Sequence, residues 1–125
     1  MYLLDTHVLL WTVGAPARLS SAARAAVESG KPRVSVVSLW ELIVKKHRRR
    51  APVPEPLAWW QRHVPRTATE VLPIRMEHLA ELDTLPADIH GDPFDRMLVA
   101  QARAEKWRLI TADKMLARYD VDILW

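Results

Sequence analysis

Short apolar runs alternate with longer stretches of helical periodicity along this chain, and the runs are rich in aliphatic and β-branched residues. Such runs are typical of buried parallel strands. The predicted strands are Tyr2 to Asp5, Arg33 to Val37, Glu70 to Ile74, Arg108 to Thr111 and Val121 to Leu124. The predicted helices are Thr6 to Val13, Ser20 or Ser21 to Gly30, Ser38 to about Arg49, Leu57 to Val64, Met76 to Leu85, Pro93 to about Lys106 and a turn or two over Asp113 to Tyr119. This alternation predicts an α/β fold with a mostly parallel sheet covered by helices on both faces.

Length and composition limit the class of protein. The 125 residues are enough for one domain, residues 1–125, and too few for two. The absence of cysteine excludes a disulfide framework, a thiolate zinc site and a cysteine nucleophile, and it fits a reducing cytosol. No basic leader precedes Tyr2, and nowhere do 18 apolar residues run together, so we expect a cytoplasmic protein without a signal peptide or membrane span.

Four acidic residues stand where strand-like runs give way to helix-like runs. They are Asp5, Glu41, Asp95 and Asp113, separated by 36, 54 and 18 residues. In an open α/β sheet the carboxyl ends of parallel strands face one crevice, so these side chains can converge there. Carboxylates that share a crevice raise each other's pKa unless a cation is present. An all-oxygen site of this kind suits Mg²⁺ or Mn²⁺.

Each acid also has a structural explanation. Ser38 and Glu41 have the spacing of a capping box, and Asp92 can cap the helix that Pro93 begins. Asp95 in that first turn complements the helix dipole, as does Asp113 at its own helix start. Asp5 differs, because an unpaired carboxylate at the end of a buried strand is costly. Capping does not require the four positions to converge, whereas metal binding does.

Four segments carry a resemblance to a known family: LLDTHVLLW, VSVVSLWELIVKK, HGDPFDRMLVAQA and LITADKML. In this order and spacing the chain resembles a PIN-domain ribonuclease, in particular the VapC-type toxins of bacterial toxin–antitoxin pairs. The resemblance covers essentially the whole chain. It implies a three-layer α/β/α domain that cleaves RNA with Mg²⁺ or Mn²⁺ and leaves 5′-phosphate and 3′-hydroxyl ends. It also implies a VapB-like antitoxin partner, whose C-terminal segment blocks the active site, and pairing with a second copy.

The resemblance assigns roles to particular residues. Asp5 and Asp95 become direct metal ligands, and Glu41 and Asp113 bind a second ion or hold and activate water. The auxiliary candidates, which orient carboxylate or water or cap a helix, are Thr6, Asp92 and Thr111. The family often has Asn or Ser where this chain has His7, so His7 is interpreted as an incidental rim residue.

The charge pattern suggests contact with a polyanion. The net charge is +3 and the sequence pI about 9.6; the four acids contribute −4, so the remaining residues carry +7. A basic run, Lys45-Lys46-His47-Arg48-Arg49-Arg50, follows Glu41 and either complements the helix dipole, steers phosphate or meets an acidic antitoxin segment. Arg96, beside Asp95, either forms an ion pair inside the fold or touches substrate. The substrate-binding candidates are Lys45, Lys46, Arg48 and Arg96.

Tryptophan and histidine are interpreted as mainly structural. Trp11, Trp40 and Trp107 lie in apolar helical contexts and are predicted core residues. Trp59 and Trp60 point about 100° apart on a helix, so one of them is expected to face a partner. The five histidines show no pairing that favours metal-free acid–base cleavage and are expected on the surface: His7, His47, His63, His78 and His90.

Two alternatives belong to other classes. An inactive PIN-like module would bind RNA or protein without cutting, and retention of all four acids argues against it. Phosphoryl transfer through an aspartyl phosphate would use Asp5 as nucleophile. A haloacid-dehalogenase-like phosphatase should have a second Asp where this chain has His7, and a receiver domain needs an Asp near mid-chain, where positions 42 to 69 contain none.

Overall fold

A five-stranded, entirely parallel sheet forms the centre of the protein, in the order β3-β2-β1-β4-β5. The computed structural model describes residues 1–30, 32–48, 51–89 and 91–125. The strands are β1 (Tyr2–Leu4), β2 (Pro32–Ser35), β3 (Glu70–Leu72), β4 (Arg108–Ile110) and β5 (Ile123–Leu124). The prediction of a mostly parallel sheet is confirmed.

Six α-helices and two short 3₁₀ segments surround the sheet in the described part of the chain. The α-helices are α1 (Thr6–Gly14), α2 (Ser21–Glu28), α3 (Val36–His47), α4 (Pro56–Thr67), α5 (Met76–Thr84) and α6 (Pro93–Glu105). The 3₁₀ segments are Pro16–Arg18 and Lys114–Arg118. Every predicted helix is present. Pro56 begins α4 at a first-turn position rather than only interrupting the chain before it.

Two apolar layers hold the helices on the two sheet faces. Successive strand residues point to opposite faces, so Leu3 packs in one layer and its neighbour Leu4 in the other. The first layer receives buried residues of α6, and the second receives those of α1, α2 and α4. This is the three-layer α/β/α arrangement that the sequence and the resemblance predicted.

The start of α3 corrects the sequence prediction. Ser35 is the N-cap and its hydroxyl accepts a hydrogen bond from the Val37 N–H at 3.0 Å. Ser38 therefore lies inside the helix, fully buried, and its hydroxyl is 2.9 Å from that of Thr6. The predicted capping box between Ser38 and Glu41 is wrong, because β2 ends and α3 begins earlier than the apolar run suggested.

The placement of several large side chains also differs from expectation. Trp40 is 47% exposed and packs edge-on against Phe94, with ring centroids 4.7 Å apart, so it is not a core residue. His78 is fully buried rather than on the surface, and its Nε2 lies 2.9 Å from Glu105 Oε1. Trp60 is buried while Trp59 is only partly so, as expected for adjacent helical residues. His90 lies outside the described residues.

No helix in residues 1–30, 32–48, 51–89 or 91–125 combines the length and apolarity needed to cross a bilayer.

Candidate active site

Asp5 follows the central strand and begins the helix next to it. It is the N-cap of α1, and its Oδ1 accepts the Val8 N–H at 2.9 Å. Its Oδ2 accepts a short hydrogen bond from the Thr111 hydroxyl, which lies just beyond the adjacent strand β4. The side chain is only 4% exposed. Two neighbouring parallel strands thus end together at this carboxylate.

Glu41 reaches the same edge of the sheet from α3. It is 3% exposed, and its Oε2 lies 2.5 Å from the Lys45 ammonium group one helical turn later. Its Oε1 is buried and has no hydrogen-bond partner among the described residues. A buried carboxylate oxygen without a partner is unusual, because its desolvation is not offset. This oxygen is suited to accept a cation or a water.

Asp95 lies in the first turn of α6, which Asp92 caps as predicted. Asp92 Oδ1 accepts the Phe94 N–H at 2.8 Å and the Asp95 N–H at 3.2 Å. Within the described part of the chain, no capping hydrogen bond occupies the Asp95 carboxylate itself, which is half-buried.

Asp113 stands on the other side of Asp5, after β4. Its backbone N–H donates to the Thr111 hydroxyl at 3.0 Å, and its own carboxylate accepts the Met115 N–H at 2.9 Å. Asp5 and Asp113 line one open cleft of about 360 Å³ together with His7, Trp11, Arg18 and Ala112. The cleft begins where β1 and β4 end.

The carboxylates act on one another electrostatically. Burial, followed by the charges of four neighbouring carboxylates, raises the pKa of Asp95 to about 7; the neighbours are Asp92, Glu41, Asp5 and Asp113. Burial is also the main cause that raises the pKa of Asp5, with a smaller contribution from Glu41, against the lowering effect of the Thr111 and Val8 hydrogen bonds. Four acids distant in sequence therefore share one electrostatic environment.

The donor set fits a hard divalent cation, with some rearrangement. Among the described residues, no three Asp, Glu or His side chains are disposed around a common point closely enough to hold an ion as they stand. Glu41 is turned to Lys45 and Asp5 to Thr111. Glu41 has a buried oxygen without a partner among the described residues, and burial followed by neighbouring carboxylates raises the pKa of Asp95. A bound cation would satisfy the oxygen and favour the ionised form of Asp95.

The predicted basic residues have different surroundings. Lys45 pairs with Glu41, whereas Lys46 is exposed and lies 3.3 Å from Glu55. Arg48 is exposed at the end of α3, and Arg49 and Arg50 of the same basic run lie outside the described residues. Arg96 forms no ion pair in the described part of the chain. It donates to the Pro86 carbonyl at 2.8 Å and to the Tyr119 hydroxyl at 3.0 Å, so it braces the fold beside the site.

Sequence reasoning missed the aromatic side of the cleft. Trp11 is half-buried rather than a core residue, and the Arg18 guanidinium lies over its ring, 4.6 Å from the centroid. His7 is exposed on the rim, as interpreted, but its ring centroid is 6.0 Å from that of Trp11. The spacing of four residues between His7 and Trp11 was the available signal, since it places both on one face of a helix that starts at Asp5.

Comparison with known proteins places this geometry in a family. The family model described as PIN domain matches residues 2–122. Ribonuclease VapC22 of Mycobacterium tuberculosis (strain ATCC 25618 / H37Rv) is 35% identical over 117 residues, covering 91% of this chain and 88% of that protein.

Solved structures agree on the fold. A chain in DNA-bound VapBC from Salmonella typhimurium superposes with a TM-score of 0.74 at 19% identity, covering 98% of this chain and 96% of that one. A chain in VapBC2 from Rickettsia felis, bound to a DNA fragment from its promoter, gives a TM-score of 0.72 at 12% identity with the same coverage. With a family match over nearly its whole length and a relative above 30% identity, this chain belongs to the PIN-domain family and is related within it to the VapC proteins.

Proposed function

We propose that this protein is a divalent-metal-dependent endoribonuclease toxin, neutralised by a VapB-like antitoxin. The observation that carries the proposal is the placement of acids distant in sequence at one edge of the sheet: Asp5 and Asp113 line one cleft, and Glu41 is buried with one oxygen that has no partner among the described residues. The charges of Asp5, Glu41 and Asp113 also contribute to the raised pKa of Asp95, after burial. The similarity to Ribonuclease VapC22 over most of both chains supports RNA as the substrate. The net positive charge of the chain also suits a polyanion.

The four acids have distinct parts in this proposal. Asp5 and Asp95 bind Mg²⁺ or Mn²⁺ directly, and Glu41 and Asp113 bind a second ion or hold the attacking water. The Thr111 hydroxyl keeps the Asp5 carboxylate oriented. The Thr6 hydroxyl contacts that of Ser38 and so holds the first turn of α3 in position. Asp92 stabilises the helix that presents Asp95.

When bound, the divalent cation supplies positive charge to the scissile phosphate and makes water a stronger nucleophile. The chain's own residues determine where this happens. The buried Asp5 and Glu41 exclude bulk water from one side of the site, so charge interactions there are less screened. Without metal, burial and the neighbouring carboxylates raise the pKa of Asp95 to about 7, so a bound cation would also favour its ionised form. The expected products have 5′-phosphate and 3′-hydroxyl ends.

The proposed partners follow from the relatives. VapBC complexes from Salmonella typhimurium and Rickettsia felis contain chains with this fold, which supports a VapB-like antitoxin. We include a homodimer or larger toxin–antitoxin assembly in the proposal. The proposal also includes a cytoplasmic location, where cellular RNA is found.

The test compares Asp5→Asn and Asp95→Asn with the unmodified protein. Purified proteins are incubated with an RNA pool in Mg²⁺ or Mn²⁺, and cleavage sites and ends are mapped by sequencing. Both variants are expected to fold and to lose at least about a hundredfold in cleavage rate. The matched control is Asp83→Asn, an exposed acid at the end of α5, which should cleave normally. Cleavage by either site variant at the parent rate contradicts the proposal.

The alternative of an inactive PIN-like binding module makes a different prediction. An enzyme of the proposed kind should show a rise in melting temperature with Mn²⁺, because the ion binds the folded state only. An inactive module should bind RNA without that rise and without cleavage.

A further inference from the structure

The cleft beside Asp5 has an aromatic wall that the four acids do not explain. His7, Trp11 and Arg18 line the cleft, with the His7 and Trp11 ring centroids 6.0 Å apart and the Arg18 guanidinium over the Trp11 ring. Trp125 packs against Trp11, with ring centroids 5.9 Å apart. Three of these four residues are exposed, and Trp125 is 40% exposed. Large planar groups kept at the surface beside a candidate active site are available to a ligand.

We propose that Trp11 and Arg18 form a stacking subsite for one unpaired nucleobase next to the scissile phosphate. The proposal rests on the function proposed above. The same cleft is lined by Asp5 and Asp113, so a nucleotide whose phosphate reaches the carboxylates has its base beside this wall. Bases of single-stranded RNA stack on aromatic rings and on arginine guanidinium planes.

The wall offers a pre-formed platform. Arg18 makes no ion pair within the described residues, and its guanidinium lies 4.6 Å from the Trp11 ring centroid. A guanidinium held over an indole presents its other flat face outward and carries a positive charge that also attracts phosphate. Trp125 also packs against Trp11, with ring centroids 5.9 Å apart. The base therefore meets a guanidinium that rests on a packed aromatic ring rather than an isolated side chain.

The chemistry favours a nucleobase over an acidic peptide as occupant. Asp5 and Asp113 line the other half of the cleft and repel an acidic peptide in the metal-free protein, whereas stacking of a neutral base does not depend on that charge. A base is uncharged and planar, and it can stack on a single flat group such as the Arg18 guanidinium over Trp11. Stacking is tolerant of base identity. This subsite would therefore require that a base be present at one position of the RNA, but any of the four bases would serve.

The test couples a protein change to an RNA change. Once a cleavage site is mapped, RNAs of that sequence are prepared with one nucleotide at a time made abasic. For the unmodified protein, removal of one flanking base should lower kcat/KM about five- to a hundredfold. On intact RNA, the kcat/KM of Trp11→Leu should be lower than that of the parent by a similar factor. On that abasic RNA, kcat/KM of Trp11→Leu should fall no further.

Two further variants separate stacking from charge and from folding. Arg18→Lys retains the positive charge but not the planar guanidinium. The abasic substitution should therefore lower its kcat/KM by a smaller factor than it does for the parent. Trp11→Phe retains a smaller ring and should lie between the parent and Trp11→Leu, and it replaces Trp11→Leu if that variant does not fold. The matched control is Trp59→Leu. Trp59 also packs against a histidine four residues away, His63, at 5.4 Å, but it lies in α4 away from the cleft.

The outcomes separate this proposal from the ribonuclease function. Suppose that the parent cleaves RNA and that every abasic substitution lowers kcat/KM by the same factor for the Trp11 variants as for the parent. The subsite is then overturned. If Trp11→Leu changes only inhibition by the antitoxin, the wall docks protein and the subsite is likewise overturned. If no protein cleaves RNA, the function fails. Binding of labelled single-stranded RNA to Asp95→Asn, with and without Trp11→Leu, then decides the subsite, which stands only if Trp11→Leu weakens that binding.

Discussion

The ammonium group of Lys45 lies 2.5 Å from the carboxylate of Glu41, one turn further along α3. Glu41 is almost completely buried, and its second oxygen has no partner among the described residues. Lys45 therefore supplies positive charge at the place where the proposed cation would bind. The pair links the basic run at the end of α3 to the acidic cluster, so under the proposed function we expect Lys45 to compete with the metal for Glu41.

Replacing Lys45 tests this competition. Lys45→Met should lower the free energy of unfolding of the metal-free protein by about 1–3 kcal/mol, because it leaves Glu41 buried without a counter-charge. The same variant should bind Mn²⁺ several-fold more tightly, and saturating Mn²⁺ should reduce the difference in stability. Urea unfolding and Mn²⁺ titration measure both effects. Lys46→Met, which removes only the exposed contact with Glu55, is the control. An unchanged or weaker Mn²⁺ affinity of Lys45→Met contradicts the competition.

The raised pKa of Asp95 predicts a pH-dependent stability in the absence of metal. The folded protein retains the Asp95 proton up to pH about 7, whereas the unfolded chain releases it near the ordinary value of 3.8. The unfolded state thus binds fewer protons in this window, so stability should fall as pH rises from about 4 to about 7. The raised pKa of Asp5 acts in the same direction. Below about pH 4, Asp95 is protonated in both states, and its contribution to the free energy of unfolding is fully present.

Asp95→Asn should remove the Asp95 part of this slope. In EDTA at pH 7.5 the variant should be more stable than the parent, because a neutral amide does not repel the neighbouring acids. At pH 4 the two proteins should be similar in stability. Urea unfolding between these pH values is the measurement, with Asp83→Asn as the exposed control. A parent protein that gains stability steadily as pH rises through the window would show that Asp95 is ionised throughout.

The Thr111 hydroxyl holds Asp5 and the chain before Asp113 together. It donates to Asp5 Oδ2 and accepts the Asp113 N–H at 3.0 Å. Thr111→Val removes both interactions with little change in shape, and it should lower the free energy of unfolding by about 1–3 kcal/mol. It should also raise the pKa of Asp5 further and weaken Mn²⁺ binding. Thr111→Ser retains the hydroxyl and should resemble the parent. Equal loss in both variants would point to packing of the methyl group instead.

The boundary between β2 and α3 can be tested through two serines. Ser35→Ala should cost about 0.5–2 kcal/mol of stability through loss of the helix cap, and it should speed hydrogen exchange at the Val37 amide. Ser38→Ala removes the buried contact with the Thr6 hydroxyl and should leave exchange at Val37 unchanged. Amide exchange followed by NMR distinguishes them. Faster exchange at Val37 in Ser38→Ala alone would assign the cap to Ser38.

The sequence by itself determined the fold class and the positions of the acids. Apolar runs of strand length separated by helical periodicity permit few arrangements, because each run must bury both faces. The start of α6 was also predictable, since Asp92 followed by Pro93 is a local cap that needs no distant residue. The boundary at Ser35 was missed because Val36 and Val37 continue the apolar run, which masks the local cap that the Ser35 hydroxyl provides to α3.

Only the tertiary structure decided which side chains meet. The contacts of Asp5 with Thr111 and of Thr6 with Ser38 join residues 106 and 32 positions apart, and no local pattern encodes such pairs. Likewise, the exposure of Trp40 and the aromatic wall around Trp11 depend on which helix face the neighbouring elements cover. The sequence specifies the polar, apolar or charged character of each residue and the local patterns that neighbouring residues form. Their distances, burial and pKa shifts arise when strands adjacent in the sheet, but distant in the chain, end at one edge.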